Sequence, residues 1–138
     1  MHTVPVLGIA EAMRALAAMQ EEASKEPQRP VAFAIVDHNG DLLCYARMDR
    51  LAPTPQQFAL RKAYTSAKMR ASTKTWGEGL KTRGMAVSEY GDPKLVSIQG
   101  GLPITTPDGI CIGGIGVSGR RAEEDEAIVE VGLKALKG

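Results

Sequence analysis

The stretch from Gly100 to Glu126 constrains the fold more than any other part of this sequence. Two short apolar runs, 102–106 and 110–117, flank a Pro107-Asp108-Gly109 turn. Proline presets the first dihedral of a turn, and glycine adopts a positive φ without steric cost. The stretch therefore predicts a β-hairpin, and the acidic segment that follows it predicts a final helix.

Five glycines lie in or beside these predicted strands, namely Gly100, Gly101, Gly113, Gly114 and Gly116. A glycine weakens a strand unless something must approach its backbone closely. We therefore expect either another element of the fold or a ligand to pack tightly against this part of the sheet.

Composition narrows the class of protein. The 138 residues carry 17 basic and 16 acidic side chains, a balance that predicts neither a nucleic-acid partner nor a membrane-binding patch. The length predicts a single domain over residues 1–138. Cys44 and Cys111 have neither CxxC nor metal-site spacing, so we expect reduced thiols, a cytoplasmic protein and no metal centre.

The remaining elements follow from hydrophobic spacing and turn residues. Helices are predicted near 6–24, from a capping box at Thr54 to about 73, and near 122–136. Strands are predicted at 31–36, 41–48 and 95–98, with a type I′ turn at Asn39-Gly40 and a short helix or ordered loop at 76–88. Since the first hairpin is apolar on both faces, helices must cover both sides. The expected fold is α+β, with about five mainly antiparallel strands between helices.

Two charged residues are candidates for catalysis. Lys62 lies one turn into the second helix, and partial burial would lower its pKa so that it acts as a base or binds a carboxylate. The alternative is a lysine whose ammonium reaches solvent. Asp125, near the start of the last helix, is a candidate acid or base, or it simply complements the helix dipole.

A ligand site is predicted where the first hairpin leaves the sheet. Arg47 and Asp49 lie at this exit, and Lys62 follows on the next helix. Two cations against one carboxylate favour an anionic ligand, although a solvated loop is the alternative for Arg47 and Asp49. The opposite wall of the predicted site contains Gly100, Gly101 and Leu102.

Three segments together resemble a known family. They are VDHNGDLLCYARMD at 36–49, ALRKAYTSA at 59–67, and GGLPITTPDGICIGGIGVSG at 100–119 with the acidic helix after it. The sequence resembles the GlcG/HbpS-like family of haem-binding and haem-degrading-type proteins, and it is similar to the C-terminal domain of PduO-type corrinoid adenosyltransferases. The resemblance covers roughly residues 5–137 and implies a profilin-like fold, symmetric oligomers, often octamers, and a small ligand pocket.

The resemblance implies that the protein binds or processes haem or another tetrapyrrole, with haem as the candidate cofactor. Some haem-binding relatives use a histidine on the first helix, and none occurs between Val6 and Ser24. A lysine, tyrosine or methionine would then ligate the iron. The alternative is an enzyme or accessory protein acting on a small organic acid in a catabolic pathway, with Lys62 and Arg47 binding the anionic group. A third hypothesis is an assembly role without chemistry.

Overall fold

Helices separate two pairs of strands along the chain in a computed structural model that describes residues 1–137. The elements are α1 (Ile9–Ala23), β1 (Ala32–Asp37), β2 (Leu42–Arg47), α2 (Pro53–Met69), α3 (Thr73–Arg83), a short 3-10 helix (Val87–Tyr90), β3 (Gly101–Thr105), β4 (Cys111–Ser118) and α4 (Ala122–Lys137). The three long predicted helices are confirmed to within a few residues. No helix in this described part of the chain is long and apolar enough to cross a membrane.

The strands within residues 1–137 form one antiparallel sheet in the order β2-β1-β4-β3. The α+β class is confirmed, but the expected count of about five strands is wrong, because the segment predicted as a strand at 95–98 is a loop. Leu95 packs with Trp76 and Leu80, and the Val96 N–H donates to Thr65 Oγ1 at 2.9 Å. Burial of Leu95 against α3, rather than strand pairing, accounts for the start of this segment, whereas Ile98 is exposed.

Both predicted hairpins are present, but the first turn differs from its prediction. A type I′ turn needs positive φ at both central residues, and of Asn39-Gly40 only Gly40 has one, at 84°. Asp37 organises the turn instead, because its Oδ1 accepts the N–H groups of Asn39 and Asp41 at 2.9 and 3.0 Å.

Helix α2 packs very closely on one face of the sheet because small residues meet there. Ala59 and Ala63 are fully buried on the helix. A Cβ on Gly114 would lie 2.5 Å from the Ala63 carbonyl oxygen, and one on Gly116 would meet the backbone at Ala59. The expected tight packing is confirmed, and a helix occupies the space. Its predicted capping box is wrong, since α2 begins at Pro53.

The opposite face carries a larger aliphatic core beneath α1 and α4. Phe33, Ile35, Ile115 and Val117 point to this side from the two central strands and are fully buried. Burying each such side chain contributes roughly 1.5–3 kcal/mol. Since β1 and β4 are covered on both faces, the surfaces open to a ligand lie at the sheet edges and beside the turns.

Candidate functional site

A cleft of about 470 Å³ opens where the β1–β2 turn faces α2. This volume falls within the roughly 300–1,000 Å³ typical of small-molecule sites. Three separate parts of the chain supply its lining, which consists of Val36, Gly40, Asp41, Leu42, Gln57, Leu60, Arg61, Tyr64, Pro93 and Lys94.

Helix α2 provides the first wall through its residue spacing. Gln57, Leu60, Arg61 and Tyr64 follow the i, i+3, i+4, i+7 pattern and therefore share one face of the helix. The alanines that contact the sheet occupy a different face. Helix α2 can thus pack tightly on the sheet and still present four larger side chains to the cleft.

The β1–β2 turn provides the second wall and contacts Tyr64 directly. A Cβ on Gly40 would lie 2.7 Å from a carbon of the Tyr64 ring. The positive φ of Gly40 also favours glycine at this position. Both restrictions bring the turn close against the ring, and they place Asp41 and Leu42 at the cleft.

Asp92 holds the third wall, which consists of Pro93 and Lys94. The Tyr64 hydroxyl donates to Asp92 Oδ2 at 2.5 Å, and the Lys94 N–H donates to Asp92 Oδ1 at 3.0 Å. The hydrogen bond between the two side chains is the main cause that raises the pKa of Tyr64 to about 12 and lowers the pKa of Asp92. Tyr64 is therefore a neutral phenol at neutral pH, and it ties the loop to α2.

Positive charge predominates around this cleft. Its lining contains two cations, Arg61 and Lys94, and one carboxylate, Asp41. The ammonium groups of Lys68 and Lys94 lie 5.6 and 5.4 Å from the centre of the Tyr64 ring, within the range of about 6 Å for cation–π attraction. The arrangement suits a ligand with an apolar body and an anionic edge.

Lys62 and Asp125, the candidate catalytic residues, lie together in the interior. Lys62 Nζ is 3.1 Å from Asp125 Oδ2 and donates to the Val117 carbonyl at 2.9 Å, and each side chain is only 2% exposed. Burial is the largest cause acting on both groups; it lowers the pKa of Lys62 and raises the pKa of Asp125, while their mutual attraction opposes both shifts. Lys62 is therefore not the solvent-reaching lysine of the alternative hypothesis.

The residues predicted for the opposite wall surround Lys62 as well. A Cβ on Gly100 would lie 2.7 Å from Lys62 Nζ, and one on Gly101 would meet the Lys62 backbone oxygen. The Gly101 N–H donates to Thr73 Oγ1 at 3.1 Å. Leu102 is half-buried and packs against the core beneath α1 and α4. The two glycines make room for α2 and for its buried lysine.

Arg47 and Asp49 are exposed. Among residues 1–137, no hydrogen bond or ion pair joins either of them to Lys62. Strand β2 runs from Leu42 at the cleft to Arg47 at its other end, which is about 17 Å away at roughly 3.3 Å per residue. The structure therefore brings together the two predicted catalytic residues, and within residues 1–137 it shows no direct polar contact between Lys62 and the two hairpin-exit residues.

Arg61 and Lys94 are candidate binding residues that the sequence pattern alone does not identify. The spacing of the larger side chains on α2 is a usable signal for part of the cleft. The position of Lys94 is not predictable in this way, because it depends on the hydrogen bond between Asp92 and Tyr64, which are far apart in the sequence.

A second groove, of about 700 Å³, lies along the β3 edge between the start of α1 and the end of α4. Its charged residues, Glu11 and Lys137, have opposite signs, and the rest of its lining is mainly aliphatic. An anionic ligand is better matched by the first cleft, where cations outnumber carboxylates.

The fold and the cleft define a small α+β protein whose antiparallel sheet lies between helices, with a partly cationic cleft beside α2. The family model described as "Haem degrading protein HbpS-like" matches residues 7–134. Protein GlcG of Escherichia coli K12 is 37% identical over 118 residues, which cover 86% of this chain and 85% of GlcG. The chain therefore belongs to the HbpS-like family, and the resemblance inferred from its motifs is confirmed.

Two solved structures extend this similarity to three dimensions. A double mutant of HbpS from Streptomyces reticuli superposes with a TM-score of 0.87 at 30% identity, covering 99% of this chain and 90% of HbpS. The structure described as a PduOC:Heme complex superposes with a TM-score of 0.83 at 28% identity, covering 95% of each chain.

Proposed function

We propose that this protein binds haem or a related tetrapyrrole. The observation that carries the proposal is the similarity, over 95% of both chains, to a protein crystallised with heme. The description of the family as haem-degrading proteins supports the same ligand class.

The cleft between the β1–β2 turn and α2 suits such a ligand. Leu42, Leu60 and the Tyr64 ring offer an apolar surface for a macrocycle, while Arg61 and Lys94 offer positive charge for its carboxylates. Haem, when bound, supplies an iron centre whose reactivity depends on its axial ligands and on the polarity around it. The protein's own contribution is to bury one side of the ring and to hold its carboxylates.

Titration of the purified protein with haem, followed by difference absorption in the Soret region, tests this function. Saturation near one haem per chain is expected. Leu60→Trp should abolish this binding by filling the cleft, whereas Ile98→Trp, at an exposed site outside the lining, should bind haem normally. An absorption change no larger than that of haem in buffer would contradict the proposal.

A second candidate function is an enzyme or accessory protein that acts on a small organic acid. The observation that favours it is the buried pair of Lys62 and Asp125, because ionisable groups with shifted pKa values are frequent at functional sites. In this proposal Lys62 and Arg47 bind the anionic group, with Asp49 and residues 100–102 beside them. A structure with a bound carboxylic acid that lies away from Lys62 would contradict this assignment.

We further propose that the protein is a cytoplasmic homo-oligomer, with the octamer as its expected form. Large apolar side chains are exposed on α1, where Ile9 is 55% and Met13 is 49% accessible. A closed symmetric assembly would also cover the two edge strands of the sheet. The cytoplasmic location is supported by the free thiols of Cys44 and Cys111, which suit a reducing compartment. Light scattering should give the mass of an oligomer, and Met13→Glu should lower it. A monomer at micromolar concentration would contradict the proposal.

A further inference from the structure

The cleft offers two exposed cations to a ligand. Among residues 1–137, neither Arg61 nor Lys94 forms a salt bridge, although the Asp92 carboxylate is near enough to interact with the charge of Lys94. They belong to different walls, Arg61 to α2 and Lys94 to the loop that Asp92 holds. Two separate cations at one opening match a ligand that carries two carboxylates on one side of a large apolar body.

Besides Lys94, Tyr64 is the residue of the cleft lining whose type was named above as a candidate haem-iron ligand. Its hydroxyl is already engaged, because it donates to Asp92 at 2.5 Å. The same bond raises the pKa of Tyr64 to about 12, which disfavours the phenolate that would bind iron. Ligation would also release Asp92, which holds the wall formed by Pro93 and Lys94. Tyr64 could therefore bind iron only by giving up the hydrogen bond that keeps the third wall of the cleft in place.

We propose, building on the function proposed above, that the cleft recognises the carboxylates of a tetrapyrrole through Arg61 and Lys94, with Tyr64 serving as a wall and not as an iron ligand. The ligand class is then a dicarboxylate macrocycle, with or without iron. An iron-free porphyrin should bind as well as haem, whereas an esterified porphyrin should bind poorly.

Three probes test this specificity: haem, protoporphyrin IX and the dimethyl ester of protoporphyrin IX. The dissociation constants of haem and protoporphyrin IX, measured by absorbance and by porphyrin fluorescence, should agree within about threefold. The ester has the same ring without negative charge and should bind at least about tenfold more weakly, as expected for the loss of charge-assisted hydrogen bonds.

Five substitutions test which residues bind the carboxylates of the porphyrin. Arg61→Gln and Lys94→Gln should each weaken protoporphyrin IX binding by about tenfold and leave ester binding unchanged. The matched controls Arg83→Gln and Lys74→Gln, at exposed sites outside the cleft lining, should bind like the wild type. Tyr64→Phe should leave the position of the Soret band of bound haem unchanged.

Distinct results would overturn the inference or the function beneath it. If haem binds but protoporphyrin IX binds more than tenfold more weakly, iron contributes to recognition and the inference is wrong. The inference is also wrong if the Soret band of bound haem moves in Tyr64→Phe, or if neither Arg61→Gln nor Lys94→Gln weakens protoporphyrin IX binding. If neither haem nor protoporphyrin IX binds, the proposed tetrapyrrole function itself fails.

Discussion

Removing the ammonium group of Lys62 should destabilise the fold strongly. Lys62→Met keeps a long side chain on α2 but leaves the Asp125 carboxylate, which is 2% exposed, without its charged partner. It also leaves the Val117 carbonyl, now 2.9 Å from Lys62 Nζ, without that donor. Breaking a buried ion pair on one side costs about 3–5 kcal/mol, so the melting temperature should fall by roughly 10–20 °C.

Neutralising both partners should restore most of this loss. Asp125→Asn retains an oxygen that can accept the Arg120 N–H, which donates to Asp125 Oδ1 at 3.0 Å. Burial outweighs mutual attraction in the pKa of both Lys62 and Asp125, so the charges contribute little net stability. The double variant Lys62→Met/Asp125→Asn should therefore lose only about 1–2 kcal/mol relative to the wild type, because a buried pair replaced as a whole is often near neutral, while the Val117 carbonyl still lacks its donor.

Urea unfolding at pH 7 of the wild type, both single variants and the double variant gives the coupling energy of the pair. Lys74→Met is the matched control, since Lys74 is exposed on the next helix, α3, and it should change stability by less than about 0.5 kcal/mol. The reasoning is refuted if Lys62→Met costs less than about 1 kcal/mol, or if the double variant loses the sum of the two single effects.

Three further perturbations have defined outcomes. Gly114→Val should destabilise the protein by about 1–3 kcal/mol in thermal unfolding, because its side chain would meet the backbone of α2; an unchanged melting temperature would contradict the packing. Asp92→Asn should lower the pKa of Tyr64 from about 12 towards its ordinary value, as followed by near-ultraviolet absorbance, and an unshifted titration would show that the bond is not the cause. The hydrogen bond to Arg29 is the largest cause that lowers the pKa of Glu124 from 4.5 to about 2. The stability contributed by the Glu124 carboxylate is therefore present above pH 4.5 and lost as the pH falls towards 2. Glu124→Gln should flatten the fall in melting temperature over that interval.

Local patterns predict most of the fold in this protein because they follow from steric rules. The Pro107-Asp108-Gly109 turn and the glycines of β4 predict a hairpin and a close neighbour, and both are present. The segment at 95–98 defeats the same approach. Its apolar residues resemble a strand, but Leu95 packs on α3 and the Val96 N–H donates to Thr65. These tertiary contacts are not encoded in the local spacing.

The candidate site shows the same limit more clearly. Lys62 and Asp125 can each be selected from helix position and charge, but their pairing depends on how α2 and α4 meet across the sheet. The cleft depends on Asp92 reaching Tyr64 and on Gly40 fitting beneath the ring. Each of these contacts joins distant segments, so no local pattern in one sequence reveals them.

The strand order has a consequence for how the chain folds during synthesis. β1 lies between β2, its neighbour in sequence, and β4, which pairs Ser118 with Ala32. The β1–β2 hairpin therefore leaves the ribosome long before β4 can complete the centre of the sheet, and such distant pairing is slow to form. A nascent or truncated chain that ends before β4 exposes one edge of β1, and that open edge is where mispairing with another chain would begin.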